Sequence, residues 1–196
     1  MQKFESSGIA YSVIIMSGMT RREGFTLWFT GWSGAGKTTL AIEVEKALRM
    51  HGIPYVQRLD GDIVRQDLTR DLGFSRDDRD ENIRRVTFVA ALLSTNGVAT
   101  LVSFISPYRK ARDTARVRCH NFIEIYMKCS PEILMERDVK GFYRKAKEQQ
   151  IKNFTGIDDP YEEPLHPEIV IDSGKMSVKE ACDIILAYIR DRHLIG

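Results

Sequence analysis

Four residues in the first quarter of the chain have the types and spacing to hold a phosphate group. Gly31, Gly36, Lys37 and Thr38 fit the pattern G-x-x-x-x-G-K-[ST], which an apolar run at residues 25–29 precedes and a helical pattern follows. Glycines let the backbone wrap closely around a phosphate, and the N–H groups at a helix N-terminus attract the anion. The lysine of this pattern reaches the β- and γ-phosphates, and the hydroxyl binds Mg²⁺. The sequence therefore predicts a phosphate loop that binds a nucleoside triphosphate.

Two carboxylates follow the second predicted strand. Asp60 and Asp62 flank Gly61 on a short turn. Phosphoryl transfer needs a carboxylate to orient or deprotonate the acceptor hydroxyl, and it needs acids near Mg²⁺. The two carboxylates could divide these roles, and the pattern does not say which of them is the base. An acidic turn without function is the alternative, since Asp and Gly favour turns, but the nearby phosphate loop favours catalysis.

Arginines crowd the stretch that follows these acids. Arginine recognises phosphate or sulfate through a planar fork of donors, so Arg65 and Arg79 are candidate ligands by their placement. Arg84 and Arg85 lie in the same stretch, where acids are interleaved, so we expect some of these four arginines to pair with neighbouring acids on a solvated helix face. Phe74 could stack on a base, although a lone phenylalanine is more often part of a core.

A strongly basic segment, residues 138–147, lies between the fourth and fifth predicted strands. In small phosphate-loop kinases a lid at this place closes over the transferring phosphate and excludes water, which would compete as the acceptor. We predict a basic lid here, with an ordinary basic surface helix as the alternative.

Composition limits the class of protein and its partners. The 196 residues suit one domain, and the net charge of +2 is too small to favour a nucleic-acid partner. No apolar run is long enough to span a membrane. We interpret residues 1–20 as an N-terminal extension or flexible arm, because the apolar stretch at 8–15 is short and no strong basic region precedes it. Residues 21–196 would then form the domain.

The three cysteines show no paired metal spacing and no C-x-x-C motif. We expect Cys119, Cys129 and Cys182 to be small buried hydrophobic residues. Their odd number argues against a disulfide framework and predicts a reducing compartment.

Strands and helices alternate along the chain, which predicts an α/β fold with a parallel sheet. The predicted strands are residues 25–29, 54–59, 98–105, 121–127 and 168–171. We expect helices after the phosphate loop, at a turn starting at Ser75, from Ile83 to Leu93, after Ser130 and after Ser177. In such sheets, ligands bind at the carboxyl ends of the strands. The phosphate loop, the acidic turn and Ser106 all fall there, so three strand ends should converge on one site.

Six segments together resemble the adenylylsulfate kinase family. They are GWSGAGKTT at 31–39, LDGDIVR at 59–65, LGFSRDDRDENIRR at 72–85, SFISPYRKAR at 103–112, DVKGFYRKA at 138–146 and NFTGIDDPYEEP at 153–164. The phosphate loop is common to many NTPases, whereas the other segments in this order are far more specific. The resemblance spans residues 24–190, which is nearly the whole chain.

The resemblance implies the reaction ATP + adenylyl sulfate → ADP + 3′-phosphoadenylyl sulfate, in sulfate assimilation. It implies a three-layer P-loop NTPase fold of the nucleotide-kinase type, with a five-stranded parallel sheet. It also implies ATP and Mg²⁺ as cofactors and a cytoplasmic homodimer, or a plastid one in a plant. Neither a nucleic acid nor a membrane is an expected partner.

The family's residue roles carry over to matched positions. The implied nucleotide-binding residues are Gly31, Ser33, Gly34, Ala35, Gly36, Lys37, Thr38 and Thr39, with Mg²⁺ held by Thr38 and Asp60. The implied substrate-binding residues are Asp62, Arg65, Phe74, Arg79, Asn82, Ile105, Ser106, Lys140, Asn153 and Phe154. Phe74 and Phe154 would stack on opposite faces of the substrate adenine. The implied catalytic residues are Lys37, Asp60, Asp62 and Ser106.

Two family features are less well supported by this sequence. The position of Ser106 is often assigned a phosphoserine intermediate, but a serine nucleophile needs an adjacent base and the local sequence names none. In-line transfer needs only positioning and charge neutralisation. Some plant members pair a cysteine of the N-terminal arm with one near the phosphate loop. No cysteine precedes Cys119 here, so that switch is absent by sequence.

Three other interpretations stay open at this point. The chain could be a phosphate-loop kinase for another small hydroxylated molecule, such as a nucleoside or a sugar acid. It could be a nucleotide-dependent switch without phosphotransfer, although the acidic turn and basic lid fit an acceptor kinase better. It could also be part of a bifunctional protein, since the domain is often fused to ATP sulfurylase and 196 residues are too few for both.

Overall fold

Five strands form one parallel sheet at the centre of the chain. The computed structural model describes residues 23–138, 141–147, 155 and 159–196. Neighbouring strands pair in the order β2-β3-β1-β4-β5, and every pairing is parallel. The strands are β1 Phe25–Thr30, β2 Val56–Asp60, β3 Ala99–Ser103, β4 Phe122–Lys128 and β5 Ile169–Asp172. The predicted five-stranded parallel sheet is confirmed, and the strand boundaries differ from the predicted ones by at most two residues.

Seven helices connect or flank these strands in the part of the chain that the structure describes. They are α1 Lys37–Met50, α2 Gly61–Val64, α3 Arg76–Thr95, α4 Arg109–Arg118, α5 Pro131–Arg137, α6 Phe142–Lys147 and α7 Val178–Asp191. Two hydrophobic clusters cover opposite faces of the sheet. One joins α1 and α7 to the sheet, and the other joins α3 and α4 to it. This is the three-layer arrangement expected of the fold.

The central strand β1 shows why the sheet is buried on both faces. Its six residues are all buried, and successive side chains point to opposite sides. Leu27 and Phe29 pack in the cluster under α1 and α7, whereas Trp28 packs with α3 and α4. A strand covered on both faces reads as a continuous apolar run, and it ends directly at the phosphate loop.

Helix α3 is longer than the sequence suggested. A helix turn at Ser75 and a separate helical pattern from Ile83 were expected, but one helix runs from Arg76 to Thr95. Ser75 caps it, because its hydroxyl accepts the Asp78 N–H at 3.2 Å and the Asp78 carboxylate accepts the Ser75 N–H at 3.3 Å. The first two turns consist mostly of charged residues, so the sequence shows no helical spacing of apolar residues there.

Helix α4 was not predicted at all. Its ten residues, RKARDTARVR, are strongly polar, and its buried residues are Arg112 and Ala115. A buried arginine occupies a position where an amphipathic helix normally has an apolar residue, so the pattern of apolar spacing is missing. The helix nevertheless positions a central part of the site.

The remaining expectations concern the chain ends and the cysteines. The proposed extension, residues 1–20, lies outside the described residues. Among the helices that the structure describes, none has the length and apolar character to cross a membrane. All three cysteines are free thiols, with Cys119 and Cys182 buried and Cys129 partly buried. Burial raises the pKa of Cys119 and of Cys182 to about 11, as expected for inert core thiols.

Candidate active site

The phosphate loop ends at an α1 N-terminus that no side chain caps. Gly36 is the N-cap residue, with φ +86°, and the first turn of α1 contains no acidic residue. By contrast, Ser75 and Ser177 cap α3 and α7 with side-chain hydrogen bonds. An uncapped N-terminus leaves backbone N–H groups and the positive end of the helix dipole directed at the loop. This geometry is typical of an anion site.

Close packing explains the first glycine of the loop. A Cβ added to Gly31 would lie 2.6 Å from the Met127 carbonyl oxygen, and the residue has φ +146°. The Gly31 N–H donates to the Ile105 carbonyl at 3.5 Å, and the Thr30 hydroxyl donates to the same carbonyl at 2.7 Å. The loop is therefore fixed against the ends of both neighbouring strands. Ile105 itself is half-buried at this junction.

The remaining loop residues differ in their exposure to solvent. Gly34 has φ +79° and is exposed, whereas Ala35 is fully buried under the loop. Ser33 is partly buried, and Thr39 is exposed on the first turn of α1. The Lys37 ammonium group donates to the carbonyls of Gly31 at 2.8 Å and Trp32 at 2.7 Å. Only 9% of Lys37 is exposed, so its charge is held inside the loop.

Asp60 connects the acidic turn to the phosphate loop. Its Oδ2 accepts the Thr38 hydroxyl at 2.7 Å, and its Oδ1 accepts the Asp62 N–H at 3.1 Å. Asp60 is 4% exposed, and the Arg58 guanidinium lies 3.8 Å from it. A hydroxyl and a carboxylate side by side are the hard oxygen ligands that Mg²⁺ takes. Thr38 and Asp60 therefore fit a magnesium ion.

Asp62 lies beside this pair at the start of α2. It belongs to the first turn of α2, which begins where β2 ends, and its side chain is exposed. The predicted placement of Asp60 and Asp62 at a strand end is confirmed. Asp62 is thus the acid on the open side of the turn.

Ser106 follows β3 and has an unusual conformation. Its φ is +46°, a left-handed value that is rare for a residue with a side chain, and the residue is 1% exposed. Its hydroxyl accepts the Trp28 indole N–H at 3.0 Å and lies 3.5 Å from the Phe104 carbonyl. Its own carbonyl accepts the Arg112 guanidinium at 2.5 Å. The hydroxyl is therefore engaged with the core.

The predicted substrate residues of α3 and the preceding loop lie together. The Arg65 guanidinium lies 4.5 Å from the Phe74 ring centre, and the Arg79 guanidinium lies 5.8 Å from it. Arg65 donates to the carbonyls of Leu72 and Gly73 at 3.1 and 3.2 Å, and Arg79 donates to the Phe74 carbonyl at 3.0 Å. The Phe74 ring is 56% exposed, which leaves apolar surface for a stacking partner.

The charges of Arg65 and Arg79 lie close enough to affect each other. Burial lowers the pKa of Arg65, and the charge of Arg79 lowers it further. Asn82, one turn along α3 from Arg79, is 5% exposed, and its side-chain oxygen has no hydrogen-bond partner among the described residues. Two nearby cations and an unsatisfied amide are a surface prepared for an anionic, hydrogen-bonding ligand. Arg84 and Arg85 instead pair with Glu81, so they are among the arginines of this stretch that form ion pairs with neighbouring acids.

Sequence reasoning missed Tyr108 and Asp159, which support this surface. The Tyr108 hydroxyl donates to the Asp159 carboxylate at 2.8 Å, and that carboxylate lies 3.6 Å from the Arg79 guanidinium. Burial and the bond to Asp159 raise the pKa of Tyr108 to about 12. The two residues are 51 positions apart, so only their membership in two of the family-like segments could have indicated them.

The predicted lid is only partly within the described residues. Helix α6 lies against the phosphate loop, because the Tyr143 hydroxyl donates to the Ser33 carbonyl at 2.8 Å. Arg144 and Lys145 on this helix are exposed. Lys140, Asn153 and Phe154 lie outside the described residues, so their predicted contacts with substrate stay predictions.

This combination of a phosphate loop, an acidic turn and an arginine-rich wall defines a phosphate-loop kinase. Comparison with known proteins gives the family. The Adenylylsulphate kinase family model matches residues 23–172, and the chain belongs to this family. An adenylyl-sulfate kinase of Halothermothrix orenii is 55% identical over 178 residues, covering 91% of this chain and 96% of the relative.

Solved structures give the same result. The Mycobacterium tuberculosis APS kinase CysC, in complex with AMPPNP and APS, has 39% identity and a TM-score of 0.81, covering 86% of this chain and 98% of that chain. The hexameric APS kinase from Thiobacillus denitrificans has 34% identity and a TM-score of 0.70, covering 90% of this chain and 30% of that chain. The predicted family, fold class and kinase activity are thereby confirmed.

Proposed function

We propose that this chain transfers the γ-phosphate of ATP to the 3′-hydroxyl of adenylyl sulfate, giving ADP and 3′-phosphoadenylyl sulfate. The observation that carries the proposal is the 2.7 Å contact between Thr38 of the phosphate loop and Asp60 of the acidic turn. This contact brings the donor site and the acids of the acceptor site together. The identity of the acceptor is supported by the M. tuberculosis relative, whose structure contains APS.

On the donor side, the chain binds and orients the triphosphate. The N–H groups of the phosphate loop and of the first turn of α1 hold the phosphate oxygens. Lys37 exchanges its carbonyl partners in the loop for the β- and γ-phosphates, where its charge is needed. Thr38 and Asp60 would hold Mg²⁺, which would neutralise charge on the transferring group.

On the acceptor side, the chain orients the ribose hydroxyl and receives its proton. The 3′-oxygen bonds to the γ-phosphorus as the bond from that phosphorus to the ADP oxygen breaks, and the hydroxyl proton passes to a carboxylate. We assign this role to Asp62, because it is exposed on the open side of the turn, whereas Asp60 is 4% exposed and is the proposed magnesium ligand. Ser106 acts through its backbone position, since its hydroxyl is bonded to Trp28.

The arginine wall recognises the rest of the acceptor. Arg65 and Arg79 bind the phosphosulfate through their guanidinium forks, and Asn82 supplies a hydrogen bond to the phosphosulfate or the ribose. Phe74 stacks on the adenine, with Phe154 proposed on the opposite face. Lys140 and Asn153 complete the proposed pocket from the lid region.

An ADP-release assay across acceptors tests the choice of substrate. We expect rapid Mg-ATP-dependent release with adenylyl sulfate, and release at the background rate with adenosine or gluconate, because neither carries the phosphosulfate that the arginines bind. Faster release with gluconate than with adenylyl sulfate would favour a sugar-acid kinase instead.

The oligomeric state of the chain is a further part of the proposal. We propose a homodimer, supported by the oligomeric state named for the hexameric T. denitrificans relative. Light scattering on the purified chain at several concentrations tests it, and a mass of one protomer throughout would contradict it.

We propose a cytoplasmic location, or a plastid in a plant, supported by the three free cysteines. The division into an extension, residues 1–20, and a kinase domain, residues 21–196, stays a proposal.

A further inference from the structure

Arg112 is a buried cation whose guanidinium group donates hydrogen bonds to one carboxylate and two backbone carbonyls. It is 2% exposed and lies on α4. Its guanidinium donates to the Glu124 carboxylate at 2.7 Å, to the Ser106 carbonyl at 2.5 Å and to the Glu162 carbonyl at 2.7 Å. It also lies 5.7 Å from the centre of the Tyr161 ring. Glu124 compensates its charge, which leaves the two carbonyl bonds to be explained.

Those two carbonyls belong to segments that are far apart in the chain. Ser106 follows the end of β3 and adjoins Ile105, whose carbonyl accepts the Thr30 hydroxyl beside the phosphate loop. Glu162 belongs to residues 159–163, which we call the strap. A planar guanidinium fork can hold two carbonyls at fixed angles, which a lysine cannot do. Arg112 therefore fixes the strap relative to the ends of the central strands.

The strap is docked on the same strand ends by further contacts. The Glu162 N–H donates to the Pro107 carbonyl at 2.8 Å. The Tyr161 hydroxyl lies 2.9 Å from the Thr30 hydroxyl, and its ring stacks on Tyr126 with centres 6.1 Å apart. These contacts limit the movement of the strap, and the Arg112 hydrogen bond to the Glu162 carbonyl restricts it further.

The first residue of the strap reaches the acceptor surface. Asp159 lies 3.6 Å from the Arg79 guanidinium and accepts the Tyr108 hydroxyl at 2.8 Å. Arg112 touches neither Arg79 nor Asp159 through any of the bonds above. Its connection to them runs through the strap on one side and through Ser106, Pro107 and Tyr108 on the other.

We propose that Arg112 is a positioning residue for the acceptor site, acting through the strap and Asp159 to set the place of Arg79. The inference rests on the proposed function and names the side of the reaction that Arg112 serves. Losing the fork lets the strap and Asp159 shift. The Arg79 guanidinium then meets the anionic acceptor in the wrong place, while the phosphate loop keeps its own contacts with ATP.

The first test compares Arg112→Lys with Arg116→Lys. Arg116 is a matched control, because it lies one turn along α4 and pairs with the same Glu124 but with Glu168 in place of the two carbonyls. We expect Arg112→Lys to raise the KM for adenylyl sulfate about tenfold or more and to change the KM for ATP less than about twofold. Arg116→Lys should leave both constants near wild type. An unchanged acceptor KM in a folded Arg112→Lys protein, or an equal rise in both variants, would overturn the proposal.

A double-mutant cycle tests the route. Asp159→Asn alone should raise the KM for adenylyl sulfate. In the double variant Asp159→Asn/Arg112→Lys, the total fold-increase in this KM should be much smaller than the product of the two single fold-increases. Multiplicative effects would show independent action and refute the route through Asp159. If Arg112→Lys does not fold, Glu124→Gln probes the same guanidinium from its carboxylate partner, with the same expected split between the two KM values. A wild-type chain that fails to phosphorylate adenylyl sulfate would refute the proposed function instead.

Discussion

Ser106 shows how a residue can matter to a site without reacting in it. Its φ of +46° costs conformational energy that the surrounding contacts must offset. The Trp28 indole holds its hydroxyl and the Arg112 guanidinium holds its carbonyl. A nucleophile needs a base beside it, and neither an indole N–H nor a guanidinium can accept a proton from the hydroxyl. The geometry favours direct transfer over a phosphoserine intermediate.

We predict that Ser106→Ala keeps most of its turnover but loses stability. The substitution leaves the buried Trp28 N–H without an acceptor, which costs about 1–3 kcal/mol of unfolding free energy. Ser103→Ala is a matched control, because the Ser103 hydroxyl is buried and has no hydrogen-bond partner among the described residues. It should leave stability nearly unchanged. Steady-state kinetics and denaturant melts measure both effects, and a collapse of kcat in Ser106→Ala with normal substrate binding would restore the phosphoserine mechanism.

We predict that Asp60→Asn and Asp62→Asn each lower kcat by about 10²-fold or more. The Asp60 change removes the charge of the proposed magnesium ligand, so it should also raise the Mg²⁺ concentration needed for half-maximal rate. The Asp62 change removes the proposed proton acceptor without that shift. Asp67→Asn, at an exposed position outside the turn, is the control. Either variant turning over at the wild-type rate would exclude that residue from the mechanism.

At the scale of elements, the spacing of apolar residues in the sequence predicted the strands and the apolar helices. The strands β1, β3 and β4 are mainly apolar because they are covered on both faces, and their boundaries were predicted to within two residues. Helix α4 escaped prediction because Arg112, rather than an apolar residue, occupies its buried face. A buried charge is stable only with partners from elsewhere in the fold, and a local pattern does not contain them.

The ion pairs that connect α4 to the sheet predict a pH dependence of stability. Burial alone would raise the pKa of Glu168, but hydrogen bonds from Arg116 and from the Glu124 N–H outweigh it and lower the pKa below the usual 4.5. A carboxylate with a lowered pKa in the folded state stabilises the protein above about pH 4.5 and loses that contribution as the pH falls through the folded pKa.

We therefore expect the stability advantage of wild type over Glu168→Gln to be full near neutral pH and to shrink as the pH falls below about 4.5. Denaturant melts at several pH values measure this difference. Glu136→Gln, at an exposed position on α5, should show no such trend. A constant difference between wild type and Glu168→Gln from pH 7 to pH 3 would mean that the carboxylate contributes no charge interaction.

At the scale of the whole molecule, the site is formed by four segments that meet at the carboxyl ends of the parallel strands: the phosphate loop, the acidic turn, the Ser106 segment and the strap. The phosphate loop, the acidic turn and the Ser106 segment were predicted to meet there, since parallel strands end on the same side. The strap was not, because its contacts join residues 50 or more positions apart and no sequence pattern encodes such pairs. Arg65, Phe74, Arg79 and Asn82 do gather on one surface, as the resemblance implied.

The central claim is that the site at the carboxyl ends of the strands transfers a phosphoryl group from ATP to a ribose oxygen of a sulfated nucleotide. The most direct measurement incubates the chain with Mg-ATP and adenylyl sulfate and assigns the product by phosphorus and proton NMR. The account predicts stoichiometric ADP and a product whose new phosphate couples to the ribose H3′ proton. A phosphate at another position, or ADP with free inorganic phosphate and unchanged adenylyl sulfate, would contradict it.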